Sequence, residues 1–364
     1  MTLIFVVLLV ALAFEYINGF HDTANSIATV VSTKVLTPRQ AVLLAATTDL
    51  LGALWGTAVA KTITSGLVDA KMVSLTSDIM ICALLGAIMW NLLTWWFGLP
   101  SSSSHALIGG LCGAALAASG DNWKVIIWSQ SSPGHWWLGK GVLWKVIIPM
   151  FTSPIAGLML GFIFMAVLYV TLRNVRPSKI NSFFGHAQIF SAGAMGFMHG
   201  TNDAQKTMGM IALTLLGATQ ARQLAHLPGW LSFLHTPAPL PGKEMEIAVW
   251  IKVVCALTMA SGTAVGGWRI IKTLGHKMVK LQPINGFAAE TSSAAVILVA
   301  THLGIPVSTT HNISAAIMGV GAARRLNAIK WTVVERMVWA WILTLPVTGG
   351  LAYVLVRLIR AAGI

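Results

Sequence analysis

Gly19-Phe20-His21-Asp22-Thr23-Ala24-Asn25, near the start of the chain, corresponds to Gly200-Thr201-Asn202-Asp203-Ala204-Gln205-Lys206 in its second half, at an offset of 181 residues. Two more pairs follow in the same order at an offset of 206, residues 56–59 with 262–265 and residues 100–105 with 306–311. Matches in a constant order indicate a duplicated unit. We therefore predict two repeats, residues 1–173 and 181–360, joined by a short linker at residues 174–180.

The composition is that of a membrane protein. Of 364 residues, 56% are hydrophobic and only 10% are charged. Apolar runs of about 20 residues, the length of a helix that spans a bilayer, recur along the chain. We predict an all-α polytopic membrane protein with ten to twelve transmembrane segments, about five membrane elements in each repeat. The net charge of +13 does not indicate a nucleic-acid partner, because the basic residues lie singly in short loops.

The loops between the apolar runs predict the orientation of the repeats. Basic residues concentrate in residues 34–39, 173–180, 269–280 and 324–330. All four loops lie in the cytoplasm if ten segments cross the bilayer and both termini are outside. An odd number of elements in each repeat then forces the two repeats into opposite orientations. Inverted repeats with polar motifs inside apolar segments are typical of secondary transporters.

The motifs around Asp22 and Asp203 predict a site for a cation. A buried carboxylate in a membrane is costly, and it is retained mainly where it binds an ion or a proton. The glycine that begins each motif would let the helix unwind, so that backbone carbonyls join the carboxylate as ligands. Asn25 lies on the same helical face as Asp22, and Lys206 takes its place in the second repeat. The alternative is a helix cap, which Asp and Asn also favour.

The hydroxyl clusters at residues 101–104 and 308–310 predict a site for an anion. Each cluster follows a proline and precedes an apolar run, so each begins a helix whose free N–H groups and dipole attract negative charge. In inverted repeats, two such helix ends point at one place near the middle of the membrane. That geometry suits a small tetrahedral oxyanion. The alternative is that the hydroxyls only cap the helices.

Other polar residues inside apolar runs are candidate helpers. His105 and His311 end the two hydroxyl clusters, where they would orient a hydroxyl, donate to an anion or move a proton. Asp49, Glu290 and Glu15 are further candidates for a cation or proton site. The sequence contains no phosphate-loop, zinc or nucleophile-elbow motif, so we expect an ion gradient to drive transport. A membrane hydrolase that pairs a serine with the histidine of its cluster is a disfavoured alternative.

The two aspartate motifs and the segments at residues 100–105 and 306–311 together resemble the inorganic phosphate transporter (Pit) family, above all its bacterial low-affinity branch. The resemblance covers nearly the whole chain. It implies a multi-pass protein of the bacterial inner membrane, often a homodimer, that imports phosphate by symport with protons or sodium. In that branch a neutral metal-phosphate complex is the expected substrate, taken up with a proton. No covalent cofactor is implied.

The resemblance also implies roles for individual residues. The coupling cation would be held beside the phosphate by Asp22, Asn25, Asn202 and Asp203, and a divalent metal by Asp22 and Asp203. The phosphate would be held by Ser102, Ser103, Ser104, Ser308, Thr309 and Thr310. Glu290 and Asp49 match acids of the family and are further coupling candidates. Lys206 departs from the amide of the first motif, and its ammonium would replace a sodium ion or contact the anion. Protons and sodium both stay open, and symport of another oxyanion such as sulfate is the alternative function.

Overall fold

Helices make up most of the protein, and the computed structural model describes residues 2–69, 72–73, 75–132, 135–237 and 245–363. The first repeat contains α1 (Thr2–Ser32), α2 (Pro38–Ala53), α3 (Ala58–Ser65), α4 (Ser77–Phe97), α5 (Ser103–Ala118) and α6 (Ile148–Thr171). The second contains α7 (Pro177–Gln220), α8 (Val249–Val265), α9 (Trp268–Lys272), α10 (Pro283–His302), α11 (Thr309–Arg324) and α12 (Trp331–Ala361). π-helical turns precede α6 (Leu143–Ile147) and follow α9 (Thr273–Met278). Two antiparallel strands, β1 (Gln130–Ser132) and β2 (His135–Lys140), lie between α5 and α6.

Each repeat contains five membrane elements in the same order: a long helix, a bent helix pair, the two arms of a hairpin and a closing helix. The axes of α2 and α3 meet at 66°, and α8 meets the stretch that begins with α9 at 56°. A hairpin enters and leaves by one face, so the other three elements give each repeat an odd number of crossings. The second repeat therefore starts on the face where the first ends, and it lies inverted, as predicted.

The lengths of the helices identify which elements cross the membrane completely. In the described part of the chain, five helices are long and apolar enough to span it, or up to seven if each bent pair counts as one span. The five elements of each repeat agree with the prediction, whereas these five to seven spans are fewer than the ten to twelve transmembrane segments predicted. The hairpin arms α5 and α11 contain 16 residues each, fewer than the roughly 20 that a full crossing needs. These two arms therefore begin inside the membrane.

The two repeats interlock rather than lie side by side. α1 packs against α8 and α7 against α2, while α5 packs against α12 and α11 against α6. Glycine allows the first pair of contacts to be close. A Cβ added at Gly19 would collide with the carbonyl oxygen of Met259, and one at Gly200 with that of Asp49. Each repeat thus completes its packing with helices of the other, around a pseudo-twofold axis.

The prediction that the aspartate motifs break their helices is wrong. α1 is continuous through Asp22, and α7 is continuous through Asp203. The backbone carbonyls around these residues remain in helical hydrogen bonds, so they are not free to join the carboxylates as ligands. The glycines of the motifs serve close helix packing instead of unwinding.

The breaks occur in the bent pairs, and they correct one of the repeat matches. Gly56 lies in the bend after α2, whereas Gly262, its counterpart in the sequence match, lies inside α8. Gly56 and Gly266 both adopt φ +80° just before the short second helix of their pair, a conformation that favours glycine. The structural offset in this element is therefore 210 and not 206. The counterpart of Asp49 is Met259, whereas the offset of 206 would have matched it with Cys255.

The loops divide between two faces at opposite ends of α6. The strand face carries β1 and β2, and there Ile127 donates its backbone N–H to the Leu67 carbonyl at 3.0 Å. The basic face carries residues 172–176, 273–282 and 325–330, where Lys330 N–H donates to the Met278 carbonyl at 3.1 Å. Loop charge predicts that the basic face is cytoplasmic.

Candidate functional site

The tips of the two hairpins place helix N-termini in the protein interior. α4 ends at Gly98 with φ +64°, and α10 is followed by Gly304 with φ +62°, a left-handed conformation that glycine adopts readily after a helix. Ser102 and Ser308 then cap α5 and α11: each side-chain oxygen accepts the backbone N–H three residues later at 3.2 Å. Capping is the contact that the structure gives these two serines, and their predicted role in substrate binding stays a prediction.

The next hydroxyls of both tips meet the two aspartates. Ser103 donates to Asp22 at 2.6 Å, and Thr310 of the other hairpin donates to the same carboxylate at 3.3 Å. Thr309 donates to Asp203 at 3.3 Å. Asp22 therefore lies between a hydroxyl of its own repeat and one of the opposite repeat.

The side chain three residues after each aspartate contacts the hairpin of the opposite repeat. Asn25 donates to Thr309 at 3.1 Å and to Thr310 at 2.9 Å. Lys206 contacts Ser104 of the first hairpin, while its ammonium lies 2.5 Å from Asp203. Because Lys206 stands where the first repeat has an amide, the two halves of the site carry different charge.

These groups form one buried assembly, which we call the central cluster: Asp22, Asn25, Asp203, Lys206, Ser103, Ser104, Thr309 and Thr310. None of its side chains belongs to a residue more than 2% exposed. Asp22, Asp203 and His199 each place a ligand atom within 4.8 Å of the other two. Two carboxylates, an imidazole and neighbouring hydroxyls are mainly oxygen donors, which suit a proton, sodium or a hard divalent cation.

Asn202 lies outside the central cluster although it precedes Asp203. Its amide donates to Thr301 at 2.8 Å and to the Ile305 carbonyl at 3.3 Å. His21, its counterpart at the offset of 181, contacts Thr94 of its own hairpin at 3.1 Å, but its other ring nitrogen lies 2.6 Å from Asp22 of the central cluster. Each of the two side chains thus contacts the hairpin of its own repeat. The role of Asn202 in cation binding stays a prediction.

His199 is a central residue that the sequence analysis did not select. Its Nδ1 lies 3.0 Å from Asp49, and its Nε2 lies 3.4 Å from Asp203. Thr263 also donates to Asp49 at 2.7 Å. The ring therefore connects Asp49 to the central cluster. The sequence signal that could have identified His199 is its spacing, because a residue four positions before Asp203 lies on the same helical face.

The hydrogen bonds of the two buried glutamates are made with residues outside the central cluster. Glu290 accepts hydrogen bonds from Thr29, Ser191 and, at 3.2 Å, Gln188, and so joins α10 to α1 and α7. Glu15 accepts from the hydroxyl of Thr207. The structure thus does not bring Glu290 together with the aspartates, and its coupling role stays a prediction.

His105 and His311 pack against each other instead of against the aspartates. Their ring centroids are 5.0 Å apart, and His311 stacks on Trp341 at 4.2 Å. Within the described part of the chain, neither ring hydrogen-bonds to Ser102 or Ser308, whose side-chain oxygens accept backbone N–H groups instead. Neither Ser102 nor Ser308 is paired with a histidine as a nucleophile would be, which removes the basis of the hydrolase alternative.

Inverted repeats, paired hairpins and a buried polar cluster between them define a multi-pass membrane transporter rather than an enzyme. The family model described as "Phosphate transporter family" matches the chain twice, over residues 18–180 and 172–352. The chain therefore belongs to the phosphate transporter family.

Individual relatives agree with this assignment. A Bacillus subtilis protein called a probable low-affinity inorganic phosphate transporter is 42% identical over 359 residues, which is 97% of each chain. A Mycobacterium tuberculosis protein of the same description is 43% identical over 347 residues, 95% of this chain and 75% of that protein. A solved structure described as "The sodium-dependent phosphate transporter" has a TM-score of 0.78 at 23% identity, covering 99% of this chain and 100% of that one. This structural likeness supports the fold.

Proposed function

We propose that this protein imports inorganic phosphate by symport with a cation, and that the interlocked repeats give alternating access to one central site. The observation that carries the proposal is the meeting of both hairpin tips at two buried carboxylates and one ammonium. The names of the relatives support phosphate as the substrate.

Donors for a tetrahedral anion come from both repeats. Ser103, Ser104, Thr309 and Thr310 bring hydroxyls, and α5 and α11 bring the N-termini of helices, which favour negative charge. Lys206 adds an ammonium with hydrogen-bond donors beside Ser104. Phosphate offers four acceptor oxygens to this set. In its absence the carboxylates and the hydroxyls satisfy one another.

The charge of the central cluster explains why a cation accompanies the anion. Two carboxylates face one ammonium, and the imidazoles of His21 and His199 lie against the carboxylates. An entering phosphate would add negative charge to this set. Unpaired charge is costly in a buried site. Protons or sodium ions at Asp22 and Asp203 would offset that cost. A divalent metal carried with phosphate is a third possibility that the same oxygen donors would accept.

Two equivalent contacts would serve as the gates. Thr62 donates to the Gly304 carbonyl at 2.6 Å beside the second hairpin, and Thr273 donates to the Gly98 carbonyl at 2.8 Å beside the first. The hairpins are related by the pseudo-twofold axis, so the two contacts lie toward opposite faces. With both made, the central cluster is closed to solvent. Breaking one at a time would expose the site to one face at a time.

Uptake of radiolabelled phosphate into proteoliposomes tests the proposal. The arms are an inward proton gradient, an inward sodium gradient, and each of them with added magnesium, all with sulfate as a competitor. We expect uptake that resists sulfate, and the gradient that drives it names the coupling ion. Uptake suppressed by sulfate would favour transport of that anion instead. No uptake under any gradient would overturn the proposal.

Asp203→Asn tests the site within the same assay. The change removes a carboxylate from the central cluster with little change in shape, so we expect uptake to fall to background while the protein stays folded. Asp121→Asn is the matched control, because Asp121 lies on the strand face in an exposed ion pair with Arg357. Wild-type uptake by Asp203→Asn would remove this aspartate from the mechanism.

A further inference from the structure

A solvent-filled pocket of about 510 Å³ opens beside α3. Its walls combine α3, the segment from the end of β2 into the π turn before α6, and the loop that follows α10. The residues that line it include Lys61, Lys140, Lys145 and His302, together with Thr62 and Gly304. Since β2 and its flanking loops lie on the strand face, the pocket opens toward that face.

Basic side chains line the pocket. Three lysines and a histidine contribute to its lining, and none of its described lining residues is acidic. Lys145 donates one hydrogen bond to the Leu303 carbonyl at 3.0 Å, and an ammonium has two further donors to offer. A concave site lined by one sign of charge raises the local concentration of the opposite ion. The ligand chemistry is that of a small oxyanion.

The pocket reaches the hairpin whose tip enters the central cluster. Gly304 lines the pocket and is three residues from Val307, whose carbonyl accepts from Lys206 at 3.2 Å. Thr62, which also lines the pocket, donates a hydrogen bond to the Gly304 carbonyl. The pocket and the central cluster are thus separated by a short loop and by the contact that we assign to one gate.

The pseudo-symmetric position on the basic face is built differently. There Thr273 contacts Gly98, and the guanidinium of Arg269 lies over the rings of Trp95 at 5.1 Å and Trp96 at 4.3 Å. Arg269 also donates to the Trp96 carbonyl at 2.5 Å. The fold repeats the gate on both faces, but a lysine-lined pocket lies at one gate and an arginine stacked on tryptophans lies at the other.

We propose that this pocket is a vestibule that binds phosphate on the strand face before the Thr62–Gly304 contact opens, with Lys140 and Lys145 as its principal anion ligands. The proposal rests on the proposed phosphate transport and adds a second, peripheral anion site to it. The vestibule supplies substrate to the central cluster and takes no part in coupling. Its loss therefore weakens the capture of phosphate without changing the turnover of the loaded transporter.

The test compares the double variant Lys140→Gln/Lys145→Gln with wild type in phosphate uptake by proteoliposomes. At low ionic strength we expect KM to rise about five-fold, with kcat changed by less than two-fold, as for the loss of electrostatic capture. Added choline chloride screens charges over about 8–10 Å near 0.1 M, so the difference in KM should shrink. The single variant Lys145→Arg, in which Lys140 is intact, retains the charge and should have a KM close to that of wild type.

The matched control is Lys124→Gln/Arg222→Gln, which removes the same charge from loops that do not line the pocket. We expect its KM to stay within two-fold of wild type. The proposal is overturned if the pocket variant keeps the wild-type KM, if the control raises KM equally, or if kcat falls while KM is unchanged. Absence of uptake by the wild-type protein under every gradient would instead count against the proposed function itself.

Discussion

Replacing Lys206 by Asn would make the second half of the central cluster chemically similar to the first. The Lys206 ammonium lies 2.5 Å from Asp203, and both residues are at most 2% exposed. Removing one partner of a buried ion pair costs about 3–5 kcal/mol, because the other charge is left uncompensated. That cost falls on the stability of the folded protein. For phosphate, the loss of a charged hydrogen-bond donor costs about 1.5–3 kcal/mol, which at about 1.4 kcal/mol for each factor of ten weakens binding roughly 10- to 150-fold. An added mobile cation beside Asp203 would recover part of this loss.

The assay is the initial rate of phosphate uptake as a function of the concentration of the coupling cation. For Lys206→Asn we expect a steeper dependence, with the apparent number of cations per phosphate raised by one, and partial recovery at high cation concentration. Lys124→Asn, which removes an exposed lysine, is the control. The reasoning is refuted if Lys206→Asn keeps both the wild-type KM for phosphate and the wild-type cation dependence.

Four further substitutions test how the fold supports the site, each read as a shift in the Tm of purified protein. Gly262→Ala would place a Cβ against a backbone carbonyl of α1 and should cost about 1–3 kcal/mol, whereas Gly350→Ala, with no neighbour within 4 Å, should be nearly neutral; equal Tm values would contradict this. Ser102→Ala and Ser308→Ala each remove a helix cap and should cost about 1 kcal/mol; a raised KM for phosphate in either would add a substrate contact to the cap. Glu290→Gln would turn one acceptor oxygen into a donor that faces hydroxyl donors, costing about 1–3 kcal/mol, so an unchanged Tm would count against a structural role for this carboxylate.

The sequence predicted the parts of the site that depend on residue type and repetition. Asp22 and Asp203 lie 181 residues apart, the family resemblance implied that they share one cation site, and the structure places them together. The hydroxyls after each proline likewise predicted the beginnings of α5 and α11. These predictions succeeded because a polar group in a membrane segment is costly, and only a small set of arrangements can satisfy it.

The failures have a common physical origin. Gly19 suggested an unwound helix, but glycine serves close helix packing as well as backbone freedom, and only the neighbouring α8 distinguishes the two. The match of Gly56 with Gly262 depended on residue identity, whereas the bend depends on φ and selects Gly266. Lys140 and Lys145 read as ordinary loop charges, because the pocket that they line is formed by segments distant in the sequence.

The exchange of packing partners between the repeats affects how the protein is made. When the ribosome has synthesised α1, α2 and the first hairpin, the helices that these elements pack against, α7, α8 and α12, have not yet been translated. At about 5–20 residues per second, the remaining two thirds of the chain takes roughly 12–50 s to appear. During that interval Asp22 and Asn25 lack their hydroxyl partners on the second hairpin. The first repeat is therefore a client for membrane chaperones and proteases during synthesis, and separate expression of the two halves should yield stable protein only when both are produced together.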